Sequence, residues 1–574
     1  MTMIWDILEP DADAVQLLAA TLAIEPLVAA VLVNRRITSY EAARAFLKPS
    51  LAGIRPPGAI TDIETAAARL VKALANHEKI LIFGDYDVDG VTATALLLDF
   101  LRGIGARASH YIPHRRQEGY GLRESHVRKR IIPGGYGLVI TVDCGIASHG
   151  AVELASAEGI DVIITDHHQP SDNLPRAVAV VNPKRDDCGA GLDHLAGVGM
   201  AFYLLIELRR QLRRNGFWQT HPEPNLKALC NLVALGTIAD MVPLVDENRA
   251  FIHAGLPGLA ARPGLKALME ISRVDPRRVE SDDIAFRLAP RLNAAGRVAH
   301  ANLALRLLTT ANPRRGDRLA RVLDRLNTRR QSIENDIIDQ VCQRIEDDSK
   351  MLERQVLVLA ERNWHEGVLG IVAARLVRRY NRPVILLSHD GEWARGSARS
   401  IPGIDLYRML ASCKASLDHF GGHAMAAGLA LPWKALHAFE TQLGHYLAEQ
   451  TVPDDYRPRI IVDAEIELQA ITPRLLDQLA SLQPFGQAMP EPLFMVRDSI
   501  VESHRIVGGH HRQMVLRSRR RTESTGLQAI QFRIDPHQAP PPGFTRLAFH
   551  LRWNRWNGTQ RPQLVIVAAD PGPS

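Results

Sequence analysis

Residues Lys79–Leu101 read KILIFGDYDVDGVTATALLLDFL. The first five form an apolar run of strand length and Val91–Leu101 reads as a helix, which puts Asp85, Asp87 and Asp89 on alternate positions at a strand's carboxyl end. Ligand sites in open α/β sheets lie at that edge. Carboxylate oxygens suit Mg²⁺ or Mn²⁺; the alternative is an Asp-rich turn or helix cap.

Later apolar runs end in the same way. Leu138–Val142 runs into Asp143-Cys144-Gly145, and Val162–Thr165 into Asp166-His167-His168. Each is followed by a helical pattern or a turn, so the order strand, helix, strand, helix predicts a parallel sheet with right-handed crossovers whose strand ends share one edge. Asp87, Asp89, Asp143 and His167 converge there on this reading. Asp240, after the apolar run Leu232–Leu235, is the expected closing ligand. Singly, Asp166 could be a helix cap, His167 and His168 surface histidines, and Asp143 the start of a turn. Recurrence at one topological position on successive strands favours a shared site.

These segments resemble the DHH phosphoesterase superfamily: GDYDVDG, VDCG, the DHH triplet and GTIADMVPL occur in its order. More narrowly, the chain is similar to the bacterial single-strand-specific 5′ to 3′ exodeoxyribonucleases. Agreement continues through Arg291–Arg297 (RLNAAGR), Trp364–Ile371 (WHEGVLGI), Gly396–Ser400 (GSARS) and Gly421–Ala424 (GGHA), the last resembling the signature of the associated DHHA1 domain. The resemblance covers nearly the whole chain. It implies a DNA hydrolase acting in recombination and repair, with single-strand binding protein and a RecQ-like helicase as partners.

Composition fits such an enzyme. A chain of 574 residues is too long for one core and should split into three or four domains. Its start lacks the basic-then-apolar pattern of a signal peptide, and no uncharged run approaches the ~20 residues that cross a bilayer, so a cytoplasmic protein is expected. The five cysteines are scattered without a CxxC pair, which argues against a disulfide framework or zinc knuckle. Net charge is +6, but Arg505–Arg561 holds eleven arginines, no lysine and two acids, a local +9 that leaves −3 for the rest. Phe532, Phe544, Phe549, Trp553 and Trp556 are interleaved with those arginines on short strand-like runs such as Gln513–Leu516 and Gln563–Val567. Arginines beside stacking aromatics describe a single-strand surface of the kind OB barrels supply; the alternative is a solvated basic face over an aromatic core. Arg517–Arg521 reads as a hairpin tip or exposed loop.

The expected fold class is α/β: a parallel-sheet catalytic domain (76–313), a connecting helix (314–354), a second α/β domain (355–450) and a C-terminal OB-like barrel (455–574). Residues 1–75 should form a helical segment packed on the catalytic core, with a helix start at Ser39. In 314–348 apolar positions recur every three or four residues, as one long helix or two; Asn327, Arg330 and Asn335 interrupt the strict heptad that a coiled coil needs.

Hydrolysis of a phosphodiester calls for charge neutralisation, a hydroxide and a stabilised leaving oxygen, which two divalent ions supply together. Expected metal ligands are Asp85, Asp87, Asp89, Asp143, His167 and Asp240, with Asp143 bridging because its strand should lie between the others. The histidine tilts the preference to Mn²⁺ over Mg²⁺. Catalytic roles fall to Asp143, Asp166 and His168, the last facing the scissile phosphate by family analogy; Asp85 and Asp166 have a second reading, as residues that orient ligands. Motif matches nominate Arg115, Arg297, Ser397 and Arg399 for a terminal 5′-phosphate, and His423 for the strand near the scissile phosphate, the glycine pair before it letting the backbone approach. Arg519, Arg520 and Trp553 are the candidates on the barrel. Rival readings are a small-substrate phosphoesterase of the superfamily (oligoribonuclease-like), a non-catalytic scaffold, and a binding module with structural metal. The basic tail and the full set of ligands weigh against the first two.

Overall fold

In the computed structural model, which describes residues 3–519, 526–556 and 559–572, two compact units are present. The first comprises Pro56–Asp240 and Gly255–Pro458, the second Met3–Arg55, Met241–Ala254 and Arg459–Ser574.

Within the first unit, strands β1 (Ile80–Gly84), β2 (Ala108–Tyr111), β3 (Leu138–Val142), β4 (Asp161–Thr165) and β5 (Ala179–Val181) form an all-parallel sheet in the order β2-β1-β3-β4-β5. Nearly every residue of β1, β3 and β4 is buried, the pattern of strands covered on both faces. Helices α1 (Val88–Gly103), α2 (Gly197–Arg214) and α3 (Cys230–Ala239) pack together there. Burial encircles α1, which its small and apolar residues allow; Thr92 and Thr94 satisfy their hydroxyls on the carbonyls of Asp89 and Gly90. The run leading to Asp240 is helix α3, not a fourth strand of the series, and Asp240 is its C-cap. Ten consecutive apolar or small residues carry no period that separates strand from helix.

After α4 (Ala289–Val298), one unbroken helix of 35 residues, α5 (Pro313–Asp347), leads to the second sheet. Asn312 caps it through the Arg315 N–H and Pro313 occupies its first turn. The second sheet consists of β6 (Leu357–Arg362), β7 (Val384–His389), β8 (Trp393–Arg399), β9 (His419–Gly422) and β10 (Ala426–Pro432), ordered β9-β10-β8-β7-β6, with only β6 and β7 parallel. Helix α6 (Glu366–Tyr380), whose Val368, Val372 and Leu376 meet Ile337 and Val341 of α5, covers one face; Phe439, Leu443 and Leu447 cover the other.

The second unit carries a barrel. Strands β11 (Phe494–Val507), β12 (His511–Ser518), β13 (Leu527–Phe532), β14 (Gly543–Trp556) and β15 (Thr559–Pro571) close on themselves in the ring β11-β12-β13-β15-β14-β11. Closure through the β11–β14 pairing removes the open edges, as in an OB barrel. Two expectations are corrected here. The N-terminal segment does not form one helical piece on the catalytic core: Ile4–Ile7 is a strand that pairs in parallel with Arg459–Val462, and residues 3–55 belong to the barrel's unit, whereas the helix Ile63–Ala75 belongs to the first. Phe544 and Phe549 are core residues rather than a stacking surface, while Phe532 is half-exposed. Arg520 and Arg521 lie outside the described residues.

A buried ion pair, Arg35 Nη1 to Asp463 Oδ1 at 2.5 Å, ties the N-terminal helix Pro26–Asn34 to the strand that leads into the barrel. Asp463 also accepts the Leu493 N–H at 3.0 Å. Removing one partner of a buried pair strands the other charge, so Arg35→Ala should lower the stability of this unit by about 3–5 kcal/mol. Hydrogen-exchange protection of the β11 amides measures it; a loss below about 1 kcal/mol would mean that the pair is dispensable.

Candidate active site

Register builds the site. Gly84 pairs with Val142, Val142 with Thr165 and Thr165 with Val181, so the next residues in line, Asp85, Asp143, Asp166 and Asn182, leave the sheet side by side. Asp143 turns at φ 59, in the left-handed region that Asp tolerates better than most residues. From the loop after β1, Asp87 caps α1 by accepting the Gly90 N–H at 3.1 Å, and Asn293 of the RLNAAGR segment accepts the Val88 N–H at 3.1 Å. Asp89 accepts N–H groups of Gly197 (2.6 Å) and Val198 (2.9 Å) at the N-terminus of α2, where the helix dipole favours an anion.

Six acids and two histidines meet at this edge. His167 Nε2 lies 3.1 Å from Asp143 Oδ1, 3.6 Å from Asp240 Oδ2 and 3.7 Å from Asp89 Oδ2. Carboxylate oxygens of Asp85, Asp87 and Asp143 lie within 4.8 Å of one another. Burial, then the neighbouring carboxylates, lifts Asp85, Asp143 and Asp240 well above the usual carboxylate range and Asp89 to about 7. Burial, and then the charge of His168, drives the His167 imidazole down to about 3, which keeps it neutral. Asp85 Oδ1, Asp143 Oδ1 and both His167 nitrogens are buried without a hydrogen-bond partner. Such atoms cost free energy unless something satisfies them. A hard oxygen set with one neutral imidazole fits a divalent cation of the Mn²⁺ or Mg²⁺ kind, and the shared membership of Asp143 and His167 in overlapping groups leaves room for two.

His168 is held apart from this cluster. Its Nδ1 lies 2.7 Å from Asp166 Oδ1 and 3.2 Å from the Tyr120 hydroxyl, but 4.0 Å from Asp143 Oδ1. Asp166, fully buried, also accepts the backbone N–H groups of Ile146, His167 and His168. Burial would raise its carboxyl, but the hydrogen bonds and the two imidazoles outweigh that and hold it below its ordinary value. Burial would likewise lower His168; Asp166, then Asp87 and Asp85, reverse it and leave the imidazole above its usual range. Asn182 donates to the His168 carbonyl at 2.9 Å. Tyr120, Asn182 and Asn293 escaped the reading of the sequence; for Asn182 the signal was there, a short apolar run, Ala179–Val181, that ends on it.

Around the same loop stands a cationic pocket. Arg115 lies over the Tyr86 ring at 4.7 Å. Arg297 donates to the Gly367 carbonyl at 3.1 Å and Arg399 to the Ala398 carbonyl at 2.8 Å. None of the three forms an ion pair among the described residues. Burial, then Arg115 and Arg330, lowers Arg297 to about 9, and burial followed by Arg115 lowers Arg399. Guanidiniums that crowd one another without an ion pair are suited to an anion, which each can hold by bidentate contacts. Ser397 shares β8 with Arg399, and the register Ala426↔Arg399 brings the β9–β10 hairpin, with exposed His423 at its turn, to that end of the strand. The turn itself demands Gly422: at φ 149, an added Cβ would lie 2.3 Å from the Ala426 carbonyl oxygen. Arg519 is exposed and Trp553 donates its indole N–H to Asp477 at 2.9 Å, both in the second unit; Arg520 lies outside the described residues.

The sequence matches the DHH family N-terminal domain at residues 79–237, the DHHA1 domain at 353–449 and the RecJ OB domain at 462–568. It is 38% identical to the single-stranded-DNA-specific exonuclease RecJ of Bacillus subtilis, over 99% of this chain and 71% of that protein. The chain belongs to the RecJ family. Crystal structures of Thermus thermophilus RecJ in complex with Mn²⁺ and with Mg²⁺ superpose with TM-scores of 0.83 and 0.75 at 30% and 29% identity, covering 100% of this chain and 80% and 79% of those. Against the RecJ domain matches, the parallel sheet falls in the DHH segment, the second sheet in DHHA1 and the barrel in the OB segment.

Asp166→Asn tests the orienting role. With the carboxylate gone, burial should take the His168 imidazole from above its usual ~6.5 to below it. Titration of ring-labelled histidine by NMR in metal-free protein reads this directly, and an unmoved His168 would place the cause elsewhere.

Proposed function

We propose that this chain is a divalent-metal-dependent exonuclease that removes 5′-mononucleotides from the 5′ end of single-stranded DNA. The observation that carries the reading is the pairing, within one unit, of a buried acid and histidine edge full of unsatisfied ligand atoms with a group of arginines beside it that form no ion pair among the described residues. Asp85, Asp87 and Asp143 would hold one ion; Asp89, His167 and Asp240, with Asp143 shared, would hold the other. Bound there, Mn²⁺, or Mg²⁺ in its place, supplies hydroxide at neutral pH and neutralises the phosphodiester oxygens. His168, oriented by Asp166 and Tyr120 and with its imidazole shifted above its usual range, would donate to the scissile phosphate or its leaving oxygen. Arg115, Arg297 and Arg399, with Ser397, would grip the terminal 5′-phosphate, which sets the polarity of digestion. His423 would contact the strand near the scissile phosphate.

On the barrel the reading narrows. Arg517, Arg546 and Arg552 are engaged by Glu502, Asp570 and Glu491, so they contribute less to phosphate binding than their number implies. Arg519, Arg520, half-exposed Phe532 and Trp553 are the better candidates for the strand. Work in recombination and repair, in the cytoplasm, beside a single-strand binding protein and a RecQ-like helicase, completes the proposal. Among the described residues no helix is long and apolar enough to cross a membrane.

Digestion of a 5′-phosphorylated single-stranded oligonucleotide, labelled separately at each end, tests it. Mononucleotides should leave from the 5′ end with Mn²⁺ or Mg²⁺, not with chelator, and a blunt duplex should resist; Asp143→Ala should lose about 10³-fold or more in rate. Binding without cleavage under every metal would replace the enzyme with a scaffold. Mn²⁺ should also raise the melting temperature, by more at pH 8 than at pH 6. The sign follows from Asp89, whose carboxyl holds its proton up to about 7 in the metal-free fold and must release it to a cation. Raised carboxyls stabilise the metal-free fold at low pH and lose that contribution as pH rises through 7, the opposite trend.

A further inference from the structure

The polar residues that break the apolar stripe of α5 have no part in the function proposed above. Asn327, Arg330 and Glu334 are 3, 8 and 2% exposed, where α5 packs against α4 and α6. Arg330 donates to Asn327 Oδ1 at 2.7 Å and pairs with Glu334 Oε1 at 2.8 Å. The other Glu334 oxygen lies 3.8 Å from Arg375 of α6, which also donates to Asn335 Oδ1 at 3.1 Å. Burial raises the Glu334 carboxyl, against the opposing pull of Arg330, Arg297 and Arg375. Glu334 therefore pairs with a guanidinium of its own helix and lies near one of α6, and the charge of Arg297 on α4 also acts on it.

Helix α6 connects this network to the arginine pocket. Its Gly367 carbonyl accepts from Arg297, and a Cβ at Gly367 would lie 2.7 Å from the Arg297 carbonyl oxygen. One turn on, a Cβ at Gly370 would lie 2.8 Å from Arg399 Nη2. The first turns of α6 thus touch both arginines, and Arg375 on the same helix anchors them to Glu334. A displacement of α6 would move the two cations relative to each other. Buried ion pairs seldom stabilise more than an apolar replacement would, and their best-attested use is to specify one arrangement.

We propose that Glu334 is a positioning residue: it fixes α6 on α5, against which α4 also packs, so that Arg297 and Arg399 converge on one 5′-terminal phosphate. This rests on the 5′-phosphate reading of the pocket. Glu334 itself has no described contact with the acid and histidine edge, its partners being Arg330 and Arg375, so loss of its charge should leave the chemistry intact.

The test uses the full chain with Mn²⁺ and two substrates of one sequence, a 5′-phosphorylated and a 5′-hydroxyl single strand. For Glu334→Gln, KM for the phosphorylated strand should rise about tenfold with kcat within about twofold, while both constants for the hydroxyl strand hold. Glu334→Asp, which restores the charge, should recover most of the loss. Arg375→Gln, at a half-exposed side chain that folding tolerates, should shift KM in the same direction even if Glu334→Gln proves unstable. Equal losses on both substrates, no change with the Gln variants, or no recovery with Asp would each overturn the positioning role. A wild-type protein that cuts both strands equally would overturn the pocket reading and this inference with it, whereas cleavage absent from both strands would fail the enzyme reading itself.

Discussion

Flush parallel register is the constraint on which the rest depends. Because Gly84, Val142, Thr165 and Val181 stand in one row, the residues after them must share an edge. Three of those four are aspartates, and the histidines that follow Asp166 turn toward the same place. Parallel strands buried on both faces leave no alternative exit for a polar side chain except the end of the strand. A slip of one residue would send each acid into the apolar layers above or below the sheet. The register is therefore held by the residues with the least tolerance for error, the fully buried Ile80, Ile82, Val139, Ile140, Ile163 and Ile164.

Gathering acids there is unfavourable by itself. Each buried carboxylate loses several kcal/mol of hydration, and its neighbours add repulsion. The structure answers in two ways. Asp166 is satisfied from within, by three backbone N–H groups and an imidazole, so its charge is fixed and it orients His168. Asp85, Asp143 and His167 are left with buried atoms that nothing among the described residues satisfies. The division separates a carboxylate satisfied inside the protein from atoms left without partners among the described residues, and it supports the reading of Asp166 as a residue that orients His168. Tyr86 sits between the two electrostatic poles: it follows Asp85, and its ring lies beneath Arg115.

What the sequence disclosed and what it hid follow from the range of the interactions involved. β1, β3, β4 and α1 were legible because continuous apolar runs of strand length, each ending in an acid, are local signals. The nature of the run before Asp240 was not, since an all-round apolar helix has no period to read. Ile4–Ile7 is four residues long and its partner lies some 450 positions away, beyond any local pattern. Phe544 and Phe549, five apart, would face opposite sides of a regular strand; register shifts along β14 bring both into the barrel core. The arginine surplus of 505–561 overstates the free positive charge, because Glu491, Glu502 and Asp570, which engage three of those arginines, all lie outside that window.

The long helix shows the same economy of local reading and distant cause. Asn327, Arg330 and Asn335 look, in sequence, like defects in a hydrophobic seam. An uninterrupted seam along α5 would bind α4 and α6 by area alone, and apolar contacts are non-directional, so a shift along the helix axis would cost little. Phosphate recognition by separate arginines does not tolerate that freedom: displacements of about 1 Å are enough to weaken a designed contact. A hydrogen-bonded cluster joining α5 to α6 is satisfied in one arrangement and leaves buried charges unpaired in its neighbours. The interruption of the heptad is then the feature that carries information between the two α/β domains, and the apolar residues on either side supply the adhesion.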